Sequence, residues 1–229
     1  MTRLDDIRAN SRTRDLFEGQ AQHLAMTLLM TLGAFSLFQD SNSRLLGLST
    51  IGWATLSIWL AILHQFIVAL VFRVQLHRNL MTRLFGAADM KIWAAIFMPL
   101  LIARPLTLIM TGWADDFPIT SYRGIEIGIG LVLLGCAVWG MHSTLVLFTL
   151  PRALGGDHFR DEIAALPMVD KGIFKYTSNG MYGVVFFGLT GIALLFSSWN
   201  ALVLALFQHT YIWVHMYCTE APDMRRIYG

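Results

Sequence analysis

The residues of this chain that could do chemistry are few, and most lie towards its carboxy-terminal end. In the run Gln208-His209-Thr210-Tyr211-Ile212-Trp213-Val214-His215-Met216-Tyr217-Cys218-Thr219-Glu220-Ala221-Pro222, helical spacing puts Gln208, Tyr211, His215 and Thr219 on one face. A polar stripe on an apolar helix is costly against lipid, so it must line a cavity or a helix interface, with Glu220 at its end. Upstream, Gly172 through Gly183 places polar turn residues directly before an apolar helix. Exposed N–H groups at such a helix start favour an anion such as a carboxylate. Arg104, between Pro99 and Pro105, is an ionisable side chain inside an apolar run. It calls for an ion pair with Glu126, Asp115 or Asp116, or else for a lipid phosphate. Five glycines at 124, 128, 130, 135 and 140 bare one surface, against which either a neighbouring helix or a flat ligand can lie. No strand precedes them, which argues against a phosphate-binding loop.

The elements that must position these residues follow from composition. Of 229 residues, 55% are hydrophobic and only 14% charged, far below the quarter or so typical of soluble chains. That excludes a disordered chain and a basic nucleic-acid binder and predicts an all-α, polytopic transmembrane bundle. A crossing needs roughly 20 apolar residues. Helices are expected near 21–38, 46–72, 91–112 and 124–149, and a hairpin of two more near 181–196 and 201–217, broken at Ser197-Ser198-Trp199-Asn200. The count is about six, or five if the last stretch is one bent helix. Fourteen of the seventeen Lys and Arg residues fall in the N-terminal segment, the second and fourth connections and the C-terminal tail. The positive-inside rule then puts both termini in the cytoplasm. The opening residues lack the apolar core of a secretory signal, so insertion is expected to use internal helices. One domain, 1–229, is expected, with a cytoplasmic segment over 1–20 and a cytoplasmic connection over 150–180, long enough to be functional. Cys136 and Cys218 suggest neither a disulfide framework nor a metal site.

Taken together, the C-terminal motifs resemble the integral-membrane phospholipid methyltransferases and, more distantly, the isoprenylcysteine carboxyl methyltransferases. The likeness rests on Gly130-Leu131-Val132-Leu133-Leu134-Gly135-Cys136-Ala137, on Gly155-Gly156-Asp157-His158-Phe159, on Gly172 through Gly183 with Met181-Tyr182-x-Gly183, and on Glu220-Ala221-Pro222 followed by Met224 and Tyr228. It departs from the family pattern at Gly180, where a proline is usual, at Ala221, where a second glutamate is usual, and at Ala137, where a second glycine is usual.

The resemblance implies S-adenosylmethionine as methyl donor, S-adenosylhomocysteine as product, and an ethanolamine phospholipid as acceptor in the bilayer. It implies donor contacts from Gly128, Gly130, Gly135, Ala137, Lys175, Tyr176, Asn179, Met181, Tyr182 and Glu220. An ethanolamine ammonium has no lone pair and must lose a proton before methylation; Glu220, His215 and the Asp157-His158 pair are the candidate bases. Arg73, Arg78 and Arg104 are the candidates for the lipid phosphate. No metal and no nucleic acid is expected, and the oligomeric state is left open. The membrane is a bacterial inner membrane or the endoplasmic reticulum. Alternatives are a carboxylate or thiol acceptor, a nicotinamide-dependent membrane reductase, and a transporter.

Overall fold

The computed structural model describes residues 2–229, and these are almost wholly helical. Helix α1 (Arg3–Asn10) leads to α2 (Gln20–Leu37), and a minimal hairpin pairing Arg44–Leu45 with Leu48–Ser49 precedes α3 (Thr50–Arg78). Helices α4 (Asp89–Trp113) and α5 (Arg123–Ser143) follow, then α6 (Phe187–Phe196), α7 (Trp199–His215) and a final α8 (Ala221–Tyr228). Between α5 and α6 the chain is built of single turns, among them Gly156–His158, Gly172–Lys175 and Gly180–Gly183. Two π-helical turns, Thr144–Thr149 and Met216–Glu220, extend α5 and α7.

Among the described residues, three helical stretches are long and apolar enough to cross a membrane: Thr50–Arg78, Leu80–Trp113 and Arg123–His158. Large apolar side chains such as Trp59, Leu63 and Leu70 on α3, and Leu24, Leu28 and Leu32 on α2, face outward. A soluble surface does not expose such continuous apolar faces, so the chain is an integral membrane protein. The helix expected over 181–196 begins only at Phe187. Gly180–Gly183 closes a single turn, and Phe187, Gly188 and Leu189 then bond back three residues rather than four, which uses up the residues that would have lengthened α6.

The break expected at 197–200 is present and has a clear cause. Ser197 adopts a left-handed backbone, and the Ser198 Oγ caps α7 by accepting from Ala201 N at 2.9 Å. Asp115 ties this corner to the end of α4: its carboxylate accepts from Ser198 Oγ (2.6 Å), Asn200 N (3.0 Å) and Asn200 Nδ2 (2.7 Å). Asn200 also exchanges two bonds with the Gln39 backbone beyond α2.

Inside the bundle, α7 is the central element. Its Ala201, Leu204, Ala205 and Tyr211 are fully buried against Ile58 and Ala61 of α3 and Leu108 of α4. A second apolar cluster surrounds Trp93, whose Nε1 donates to Leu154 O at 2.8 Å and anchors the connection after α5. Helices α5 and α6 meet at glycines: a Cβ on Gly191 would lie 2.9 Å from Gly130 O, and one on Gly130 would lie 3.0 Å from Gly191 O. Of the two readings of the glycine surface, close helix contact therefore holds at Gly130 and Ala137, and Gly140 packs on Val184 and Val185 just before α6, whereas Gly128 and Gly135 have open space over them. Gly191→Val should accordingly destabilise the protein by about 1–3 kcal/mol, while Gly135→Ala should leave thermal unfolding in detergent within a degree or so of the parent; equal behaviour of the two variants would contradict this packing.

Candidate active site

The cytoplasm-facing end expected from the charges is where α3, the turns of 150–183 and the end of α7 converge, and it is organised around Arg73. This arginine is 2% exposed; its Nη1 donates to Asp223 Oδ1 at 2.7 Å and to Asp15 O at 3.4 Å. Its Nη2 donates to the carbonyls of Glu18 (2.9 Å), Thr219 (3.2 Å) and Cys218 (3.3 Å). Those carbonyls belong to the Met216–Glu220 π-turn and to the segment before α2, so a single guanidinium holds both in place. Asp223 reaches in the other direction, with Oδ2 3.4 Å from His158 Nε2, while His158 Nδ1 is 2.9 Å from Asp157 Oδ1. Both ring nitrogens of His158 face carboxylates, and only an imidazolium can donate to both at once. Tyr228 OH donates to Asp157 Oδ2 at 3.0 Å; burial, and then the Asp157 charge, push its hydroxyl up to about 12, so it remains a donor. Phe72 stacks on the His158 ring at 4.2 Å, and Gly155, at φ 75°, leaves the space that the Phe72 ring needs.

Several expected site residues are therefore engaged in holding the fold. Arg73 has no donor group turned to an open surface, and Asp157 and His158 are buried in the same network. Arg78, half-buried, donates to Ser11 O at 3.3 Å. Arg104 is buried in the bundle without the expected ion pair. Its Nε donates to Gln208 Oε1 at 2.8 Å, its Nη2 to Gln208 O at 3.3 Å, and its guanidinium lies 4.9 Å from the Phe186 ring centroid. Glu126 bonds instead to Thr120 and pairs with Arg123, Asp115 bonds to Ser198 and Asn200, and Asp116 bonds to Ser41.

A different group of the expected residues meets at the end of α7. Tyr182 OH donates to Glu220 Oε2, and Glu220 Oε1 lies 3.4 Å from His215 Nε2, at ion-pair distance. Neither ring nitrogen of the fully buried His215 has a hydrogen-bond partner. Tyr182 packs edge-on against Trp213, and Trp213 stacks on Tyr217. Asn179 and Met181, half-buried, sit on the turn that carries Tyr182; Lys175 and Tyr176 are exposed beside it, with Tyr176 edge-on to the exposed Trp139 of α5. The glycines do not join this group: Gly128 and Gly135 lie on the outward face of α5, and Gly130 and Ala137 are covered by α6. An apolar groove of about 260 Å³ lined by Met30, Ala34, Trp199, Leu206 and Thr210 lies along the half of α7 remote from Glu220.

A carboxylate shared by a tyrosine and a histidine, drawn from two segments 38 residues apart, is an arrangement for accepting a positively charged group and moving a proton. Residues 125–229 match the phospholipid methyltransferase family. Among curated proteins, the chain is 32% identical over 124 residues to a phosphatidylethanolamine N-methyltransferase of Malassezia globosa, covering 52% of this chain and 12% of that protein. A phosphatidylethanolamine N-methyltransferase of Scheffersomyces stipitis is 32% identical over 106 residues, 46% of this chain and 12% of the relative. One of Candida albicans is 29% identical over 109 residues, 47% and 12%. The chain thus aligns with about one eighth of the length of these relatives. No solved structure matches it.

The residue that sequence reasoning missed is Asp223, which pairs with Arg73 and faces His158. Asp223 follows Glu220 by three residues, and a carboxylate so close to a suspected site carboxylate was a usable signal. Replacing Arg73 with Met strips Asp223 of its buried partner and should cost about 3–5 kcal/mol. The double variant with Asp223→Leu should recover part of that loss in urea unfolding, and a silent Arg73→Met would contradict the network.

Proposed function

We propose that this protein is an S-adenosylmethionine-dependent methyltransferase acting on the ethanolamine headgroup of membrane phospholipids. The observation that carries the reading is Glu220, fixed by Tyr182 and placed beside the orphaned ring of His215 within the family-matched segment. Bound S-adenosylmethionine supplies an electrophilic methyl on a sulfonium. Of this chain's residues, Glu220 accepts from the donor's ammonium or ribose hydroxyls, and Tyr182 orients that carboxylate. Asn179 and Met181 border the same rim, Lys175 offers a charge for a carboxylate, and the exposed Tyr176–Trp139 pair offers an aromatic face for the adenine.

His215 is suited to take the ammonium proton, because its ring nitrogens are free and Glu220 offsets the imidazolium that forms. Arg104 does not fit the phosphate of the lipid being methylated. Its partner Gln208 is twelve residues from Glu220, about 18 Å along the helix, whereas the ethanolamine arm is only two carbons long. Arg78, bonded to backbone carbonyls through Nη1, keeps its other guanidinium donors for a phosphate and is the better partner. The charge distribution supports both termini and the site lying on the cytoplasmic side, with the lipid entering sideways from the inner leaflet.

Expression in a host lacking methylated phospholipids, followed by lipid mass spectrometry, should show ethanolamine lipids gaining mass in one-methylene steps; an unchanged lipid profile from folded protein would overturn the reading. In calorimetry, Glu220→Ala should weaken S-adenosylmethionine binding at least tenfold, the loss expected for one charge-assisted hydrogen bond of about 1.5–3 kcal/mol. Tyr182→Phe should weaken it less. Tight NADPH binding with no response to S-adenosylmethionine would favour a reductase instead.

A further inference from the structure

The half of the chain outside the family-matched segment supplies one wall of the candidate site, and it does so through a buried histidine. His23, on the first turn of α2, is fully buried, and neither of its ring nitrogens has a hydrogen-bond partner. Its ring stacks on Phe66 of α3, with centroids 5.0 Å apart and an 11° interplanar angle, and stands edge-on to His215 at 5.6 Å. Two imidazoles therefore adjoin edge-on in the buried interior with all four nitrogens unsatisfied. Each such group is costly to bury, and an arrangement of this kind is retained where the groups have work to do.

The position of His23 is also fixed more tightly than packing alone requires. The backbone of Gly19, with φ at 78°, lies so close to the Cys218 carbonyl that a Cβ would fall 2.1 Å from it. Gln20 Nε2 donates to Thr219 Oγ1 at 3.2 Å, and Arg73 grips Glu18 O and Thr219 O together. The start of α2 is thus clamped to the π-turn that carries Glu220, with His23 a turn below. The ionisable groups facing His23 are His215 and Tyr211 of α7, with Glu220 and Tyr182 beyond His215. From α3 comes Phe66, and deeper in the same seam His64.

We propose that His23 is a positioning and proton-accepting partner of His215. This rests on the methyltransferase reading and extends it to α2. The lipid ammonium gives its proton to a lone pair of His215, keeping the N–H electron pair as the nucleophile. The amine nitrogen then forms its bond to the methyl carbon as the carbon–sulfur bond breaks, and the thioether leaves with that pair. Rotation of the two rings, whose centroids lie 5.6 Å apart, brings a nitrogen of each within hydrogen-bond reach; His23 then takes up the proton from His215 and resets it as a neutral base, and the proton leaves past Gln20 and Thr219 to the aqueous side. One proton is released per methyl transferred, so each turnover requires such a reset.

The test uses full-length protein in lipid nanodiscs and the variant His23→Phe, which keeps a ring on Phe66 but has no nitrogen. The expected result is a dissociation constant for S-adenosylmethionine within twofold of the parent, a turnover of ethanolamine lipid at least tenfold lower at pH 7, and a deficit that narrows towards pH 9 as solvent deprotonates more of the acceptor. Unchanged turnover, or a deficit independent of pH, overturns the inference while leaving the methyltransferase reading intact. A parent protein that neither binds S-adenosylmethionine nor methylates the lipid overturns both. If His23→Phe loses binding, His23→Gln decides: the same split between binding and turnover supports the inference, and loss of binding there too makes His23 a packing residue and overturns it.

Discussion

The buried pairing of Arg73 with Asp223 is the constraint on which the rest of the arrangement depends. A guanidinium taken out of water needs partners for its charge and its donors, and here one carboxylate and four backbone carbonyls take up both terminal nitrogens, while Nε is left without a partner. Those carbonyls come from the segment before α2 and from the turn after α7, so the electrostatic requirement of one side chain fixes chain segments some two hundred residues apart in sequence. Glu220 lies at the edge of that cage, and its approach to Tyr182 and His215 follows from the cage being closed.

A polar seam runs inward from this point. His215, His23, Tyr211, His64, Arg104 and Gln208 are buried at successive depths along α7 and its neighbours, ending in the Ser57–Thr107 hydroxyl pair. In hydrocarbon such groups would be expensive singly. Grouped between helices they satisfy part of each other's needs, and lipid-facing positions stay apolar. The same seam explains why α7 is the most buried helix of the bundle.

Much of this was legible in the sequence. The helical class, the break at Ser197 and Ser198, and the buried stripe of Gln208, Tyr211, His215 and Thr219 follow from hydropathy and helical period, which act locally. The pairing of Tyr182 with Glu220 was legible only as a resemblance, since nothing in the spacing dictates it. What escaped were choices of partner. Arg104 has three carboxylates within reach by sequence and pairs with none, because Asp115 and Asp116 are used at the loop corner and Glu126 accepts from Thr120 and pairs with Arg123. Arg73, Asp157 and His158 have the charges expected of groups that meet a substrate or move a proton, whereas their partners are internal. The glycine run was ambiguous for a similar reason: which glycines meet α6 depends on the rotation of α5, and of those expected Gly130 does, while Gly140 meets Val184 and Val185 just before α6.

The π-helical turn at Met216–Glu220 carries a consequence of its own. Widening one turn to hold an extra residue shifts everything after it by about 100° around the axis. Without that shift Glu220, five residues after His215, would lie about 140° round the helix from it, instead of 3.4 Å from its ring. The angular offset lets one continuous rod serve two addresses, the rim where Glu220 meets Tyr182 and His215 and the Arg73 keystone that locks the bundle. A shortening by one residue there would force the rod to choose between them.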